Sequence, residues 1–121
     1  MLNLNSSPVI IDCIIFGNTS AVPNPLGSSL GGGMANYNSN PTVINCVFRN
    51  NRVMGWGGGG AMGNCASSNP QVVNSTFYAN EAPWGSAPGG GIYNCADSSP
   101  IITNCIFWGN TDAFGSGQAG P

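Results

Sequence analysis

Apolar and polar positions recur along this chain in repeated blocks. Each block opens on a proline (Pro8, Pro41, Pro70, Pro100), and the prolines are spaced by 33, 29 and 30 residues. The segments that follow read PVIIDCIIFGN (8–18), PTVINCVFRNN (41–51), PQVVNSTFYAN (70–80) and PIITNCIFWGN (100–110). With the proline as zero, position 2 is Ile10, Val43, Val72 and Ile102. Position 5 is Cys13, Cys46, Ser75 and Cys105, and position 7 is Ile15, Phe48, Phe77 and Phe107. These are apolar or small in every copy, which places them inside. Positions 1 (Val9, Thr42, Gln71, Ile101) and 8 (Phe16, Arg49, Tyr78, Trp108) vary freely, which places them outside. From 5 to 8 the sides alternate with period two, as in a strand. Position 4 (Asp12, Asn45, Asn74, Asn104) interrupts the alternation, and Asn and Asp suit a bend.

Before the last three prolines lies a glycine run: GGGMAN (31–36), GGAMGN (59–64) and GGGIYN (89–94). The opening MLN (1–3) aligns with the end of that element, with Met1 in register with Met34, Met62 and Ile92. Glycine there permits positive φ or a wall too thin for a Cβ. Glycines and prolines interrupt every possible helix. A repeat of this length predicts a stack of similar coils. The expected fold is all-β, a parallel β-helix (solenoid) of about four coils with roughly 30 residues each. As one domain over 1–121, its coils fall at about 1–30, 31–58, 59–88 and 89–121. The segments 19–30, 52–58, 81–88 and 111–121 differ in length and sequence and are expected to protrude.

In such a fold each strand pairs with its counterpart one coil away, at about 4.8 Å, so like stacks on like. Asn18, Asn51, Asn80 and Asn110 form one expected ladder. Asn45, Asn74 and Asn104, with Asp12 below them, form a second, read as internal. Asn3, Asn36, Asn64 and Asn94 form a third. Stacked amides donate and accept between coils. Cys13, Cys46 and Cys105 share a core column. Neighbouring coils bring Cα atoms to about disulfide distance, roughly 4.4–6.8 Å, so Cys65–Cys95 and Cys13–Cys46 are both feasible bridges.

Charge narrows the function classes. Only 5% of the residues are charged, with two Lys plus Arg, no His and a net charge of −2. An electrostatic nucleic-acid partner is excluded, because it needs clustered Lys and Arg. No run reaches the roughly 18 apolar residues of a membrane span, so no membrane insertion is expected. With no CxxC and no His, no metal or other cofactor is implied.

The same residues resemble a known family. FRNN (48–51), FYAN (77–80) and FWGN (107–110), with IFGN (15–18) as a near match, pair with GGAM (59–62), GGGI (89–92) and GGGM (31–34). This is similar to the GGA[ILV]/FxxN repeats of chlamydial polymorphic outer-membrane proteins and related secreted bacterial surface proteins. The resemblance implies a right-handed coil, adhesion, and a location that is extracellular or at the bacterial cell surface.

Enzymes that cleave polysaccharides also use right-handed β-helices, and their chemistry needs carboxylates on one face. Glu81 and Asp112 are the one pair that could serve, but the favoured reading of them is two solvated loop carboxylates, so no catalytic residue is expected. Exposed aromatics offer a contact for surface glycans or a protein partner: Tyr78 and Trp108 at position 8, and Trp56, Trp84 and Phe114 just past the FxxN asparagine. The leading expectation is a non-catalytic extracellular structural protein. Its ends, marked by Met1, Leu2 and Leu4 at one and Phe107 and Phe114 at the other, would stack head to tail on further copies into a fibre. The alternatives are a fragment of a large bacterial surface adhesin, and a glycan-binding or carbohydrate-active module.

Overall fold

The computed structural model describes residues 1–21, 29–55, 57–84 and 89–114. The chain winds through four rungs of short strands. The first rung holds β1 (Leu2–Leu4), β2 (Val9–Ile11), β3 (Ile14–Phe16) and β4 (Thr19–Ser20). The second holds β5 (Met34–Tyr37), β6 (Thr42–Ile44), β7 (Val47–Arg49) and β8 (Arg52–Val53). The third holds β9 (Met62–Cys65), β10 (Gln71–Val73), β11 (Thr76–Tyr78) and β12 (Glu81–Ala82). The fourth holds β13 (Ile92–Asn94), β14 (Ile101–Thr103), β15 (Ile106–Trp108) and β16 (Thr111–Asp112). Corresponding strands pair in parallel, giving four sheets of four strands each. From β1 to β13 the path makes three full turns. Register follows the sequence repeat: Val43 pairs with Ile10 and Val72, and Phe77 with Phe48 and Phe107.

Corners are made by single residues in the left-handed region. Between the second and third sheets these are Asp12, Asn45, Asn74 and Asn104, with φ of 55°, 53°, 50° and 57°. Asn and Asp tolerate that region better than other side chains with a Cβ. The corner after the first sheet uses Asn5 and Asn38 in the lower rungs. In the upper rungs it is one residue longer and needs two left-handed residues, Ala66–Ser67 and Ala96–Asp97. The glycine column closes each rung on itself. A Cβ on Gly60 would lie 2.5 Å from the backbone nitrogen of Glu81 in β12 and 2.3 Å from the carbonyl oxygen of Gly90. No side chain fits there.

Inside, Met34, Met62 and Ile92 face Ile10, Val43 and Val72 and the phenylalanine column, all in one apolar cluster. Phe48, Phe77 and Phe107 stack with centroids 4.9 and 4.7 Å apart and planes within 7°. A second, outer cluster covers the first sheet: Leu30, Ala35 and Tyr37 pack with Cys65, Tyr93 and Cys95.

Three expectations need correction. The segments from 19, 52, 81 and 111 do not simply protrude: each begins with a two-residue strand, and these build the fourth sheet. Two residues are too short for periodicity to register. The column Asp12, Asn45, Asn74 and Asn104 is not internal; all four side chains are exposed. A left-handed residue reverses the local direction of the chain and turns its side chain outward. Glu81 and Asp112 do not share a face. In the register between β12 and β16, Glu81 pairs with Thr111 and Ala82 with Asp112, so Asp112 continues the inward column of Val53 and Ala82 while Glu81 points out.

Candidate interaction surfaces

The ladders decide what each rung edge offers. In the interior, the side-chain nitrogen of Asn18 donates to Oδ1 of Asn51 (2.9 Å), Asn51 to Asn80 (3.0 Å) and Asn80 to Asn110 (2.8 Å). The same oxygens accept backbone N–H groups from the rung below. The second amide hydrogens of Asn51, Asn80 and Asn110 go to the carbonyls of Ile15, Phe48 and Phe77, each at 2.9 Å. Asn3, Asn36, Asn64 and Asn94 form another inward ladder with 2.8 Å bonds. A serine ladder completes the set: the N–H groups of Ser6, Ser39 and Ser68 donate to Oγ of Ser39, Ser68 and Ser98.

These columns run to the first and fourth rungs and stop there among the described residues. The apolar columns do the same. Of the exposed large hydrophobics, all but Tyr78 and Trp84 lie in those two rungs. Met1, Leu2, Leu4, Val9, Ile11, Ile14 and Phe16 are exposed on the lower rung, and Ile101, Ile102, Ile106, Trp108 and Phe114 on the upper. Ile102 illustrates the cause. It belongs to the column of Val43 and Val72, both fully buried, yet it is 38% exposed because no described rung lies above it. Phe107, the last ring of the phenylalanine stack, is only partly buried for the same reason.

On the outer face of the third sheet, Phe16, Arg49, Tyr78 and Trp108 share one column. Arg49 lies over the Phe16 ring at 4.7 Å, a cation–π contact. Tyr78 and Trp108 are exposed in adjacent rungs. Trp84 and Phe114 are exposed at corresponding places, two residues past the paired Ala82 and Asp112. Trp56 lies outside the described residues.

Cys65 and Cys95 form a disulfide, with Cα atoms 4.8 Å apart. It ties together the two rungs that carry the longer corner. Cys13, Cys46 and Cys105 are free thiols. Cys46 donates to the carbonyl of Ile44 at 3.2 Å, and burial pushes its thiol pKa up. Cys13 and Cys46 stand in adjacent rungs without a bond, so the second feasible bridge is not made.

Glu81 meets Arg52 rather than a carboxylate. Arg52 Nε lies 3.6 Å from Glu81 Oε2, and the two side chains are 42% and 49% exposed. That is an ion pair but too long for a hydrogen bond, and Nε has no hydrogen-bond partner among the described residues. Exposed pairs contribute little, about 0–1 kcal/mol. Glu81→Gln is therefore expected to change unfolding free energy by less than about 1 kcal/mol; urea denaturation of both proteins checks this. Among the described residues, no three His, Cys, Asp or Glu side chains converge.

A family model described as the right-handed β-helix region matches residues 1–107. The chain belongs to the right-handed β-helix family. Its solenoid thus coils with the hand that the motif resemblance implied, while the narrower likeness to chlamydial surface repeats rests on the motifs alone. Neither the search of curated proteins nor that of solved structures finds a match. The right-handed β-helix family holds both enzymes and non-enzymes.

Proposed function

We propose that this β-helix is a non-catalytic structural element of the cell exterior whose rung edges stack on further copies of the same chain, head to tail, into a fibre. The observation that carries the reading is the continuity of the interior ladders through all four described rungs, up to the first and the fourth. A strand edge presents unpaired N–H and C=O groups and templates another strand. In the edge rungs, Met1 and Ile102 belong to interior columns yet stay exposed, and Ile15 and Phe107 are only partly buried; a further rung would cover them. Laid on the fourth rung, a second copy's first rung places Ile15 on Phe107, Ile10 on Ile102 and Asn18 on Asn110. Such a contact joins unlike edges, does not close, and builds an open filament. The chemistry supports a scaffold over an enzyme, since Glu81 and Asp112 point to opposite faces.

Electron microscopy of the purified protein at near-neutral pH tests this. Thin filaments with an axial repeat near four rung spacings, roughly 19 Å, are expected. Alkylation gives an independent readout: Cys13, exposed in the single solenoid, becomes as protected as Cys46 on assembly. Discrete monomers at all concentrations, with Cys13 reactive throughout, would overturn the reading. Attention would then move to the aromatic column as a glycan or partner contact, tested on a glycan array.

A further inference from the structure

We infer that the stacking has a fixed polarity, set by the hydrogen-bond direction of the two interior asparagine ladders; this rests on the stacking reading above. In both ladders the amide nitrogen of a lower rung donates to Oδ1 of the rung above. In the Asn18–Asn110 ladder the direction is not free to reverse. Each Oδ1 of Asn51, Asn80 and Asn110 accepts a backbone N–H, and each Nδ2 of the same residues donates to a backbone carbonyl. A flipped amide would set nitrogen against N–H and oxygen against C=O at both contacts.

The two edges are therefore chemically different. On the upper edge, the backbone N–H of Asn110 and one of its Nδ2 hydrogens point onward with no acceptor among the described residues, as does Nδ2 of Asn94. On the lower edge, Oδ1 of Asn18 and Oδ1 of Asn3 accept nothing from the described residues. Upper edge on lower edge repeats the donor–acceptor geometry that already occurs three times within the chain. Upper on upper sets donors against donors, and lower on lower sets oxygens against oxygens. The outer ladder bonds run the other way, from Asn38 to Asn5, Asn45 to Asp12 and Asn104 to Asn74. They are exposed, so water can replace either partner, and they do not set the direction. The apolar columns alone would not choose, because aliphatic edges pack on either partner; the amides supply the discrimination.

The free thiols report the polarity. Cys13 lies on the lower edge and Cys105 on the upper, in one column. In a polar stack Cys105 of one copy meets Cys13 of the next; in a two-fold stack each thiol meets its own kind. The experiment adds the short thiol cross-linker dibromobimane to the soluble protein as it assembles, before Cys13 is covered, with the Cys65–Cys95 disulfide intact, and identifies linked peptides from dimer and larger bands by mass spectrometry. A parallel sample carries Cys46→Ser, which removes the one thiol able to link to Cys13 within a chain; Ser75 already occupies the same column. Cys13–Cys105 links at least tenfold above Cys13–Cys13 and Cys105–Cys105 links combined are expected in both samples. Same-residue links at equal or higher yield would overturn the polarity, and with it the head-to-tail order, while leaving the association of copies through their rung edges intact. Monomers in the microscope with no intermolecular links would instead overturn the stacking reading itself.

Discussion

Replacing Phe77 with alanine is expected to destabilise the isolated solenoid by about 3–5 kcal/mol. Phe77 is fully buried and is the middle ring of the stack, with Phe48 on one side and Phe107 on the other. Removing it deletes contacts on both faces. The gap has little means of collapsing, because rung spacing is held by the parallel ladders above and below. A domain of this size is stable by only about 5–15 kcal/mol, so the loss is a large fraction of the total. Phe107→Ala is the informative comparison. Its ring is covered on one face only, so in dilute protein its loss is expected to be less than half that of Phe77. Chemical denaturation of both variants checks the pair. Equal costs would mean that the upper edge is already covered in solution, and a Phe77 cost below about 1 kcal/mol would overturn the core assignment.

Much of this architecture is legible in the residues because a solenoid repeats its environment as it repeats its sequence. Position 7 reads Ile15, Phe48, Phe77, Phe107, and those residues form one column. What escapes is what the repeat does not encode by hydrophobicity. The serines two residues before each proline, Ser6, Ser39, Ser68 and Ser98, are invariant across the rungs, and Ser39 and Ser68 are fully buried. Hydrophobic periodicity passes over them, yet the hydroxyls of Ser39, Ser68 and Ser98 accept N–H groups from the rung below. Repetition of a polar residue was the available signal. The exposure of Asn45, Asn74 and Asn104 depends on a backbone dihedral that side-chain alternation does not carry. Glu81 and Asp112 looked like neighbours because each follows an asparagine, but one residue of offset in a strand puts them on opposite faces. The outer cluster around Leu30 was invisible for a different reason. Leu30 stands outside the aligned repeat and lies over Gly63, where a Cβ would lie 2.3 Å from Leu30 Cγ.

The free thiols illustrate how position along the stack, rather than residue type, sets the properties of a side chain here. Cys13, Cys46 and Cys105 are in one column, yet they are exposed, buried and intermediate in turn. The same gradient runs through Asn18 and Asn80, and through Ile102 and Val72. In these columns burial is complete only with a rung on each side, whereas Ile10 and Asn3 in the first rung and Ile92 and Asn110 in the fourth are already buried. That is the physical link from repeat to assembly: adding a rung to either edge converts exposed columns into buried ones without a new fold.

The asparagine ladders give the second large effect. Asn80→Ala is expected to cost roughly 3 kcal/mol or more, since each buried group left without a partner costs about 1–3 kcal/mol. Asn80 is fully buried, and its side chain makes four bonds. It accepts from the backbone and side-chain nitrogens of Asn51, and it donates to the Phe48 carbonyl and to Oδ1 of Asn110. Alanine keeps the strand but orphans an N–H, an amide hydrogen and a carbonyl in a space that water does not reach. Asn74→Ala is the matched control. Asn74 belongs to the exposed ladder, its Oδ1 accepts from the side-chain nitrogen of Asn104, and water can take that partner's place. Its replacement is expected to fall within about 1 kcal/mol, after allowing for alanine at a positive φ. Urea melts of the two variants separate the cases. A small loss at Asn80 would mean that the interior amides do not hold the rungs in register, and it would remove the basis for their setting the direction of stacking. A large loss at Asn80 beside a small one at Asn74 would show that amide stacking holds this solenoid together only where water is excluded, which is the condition that a second copy would create at each bare edge.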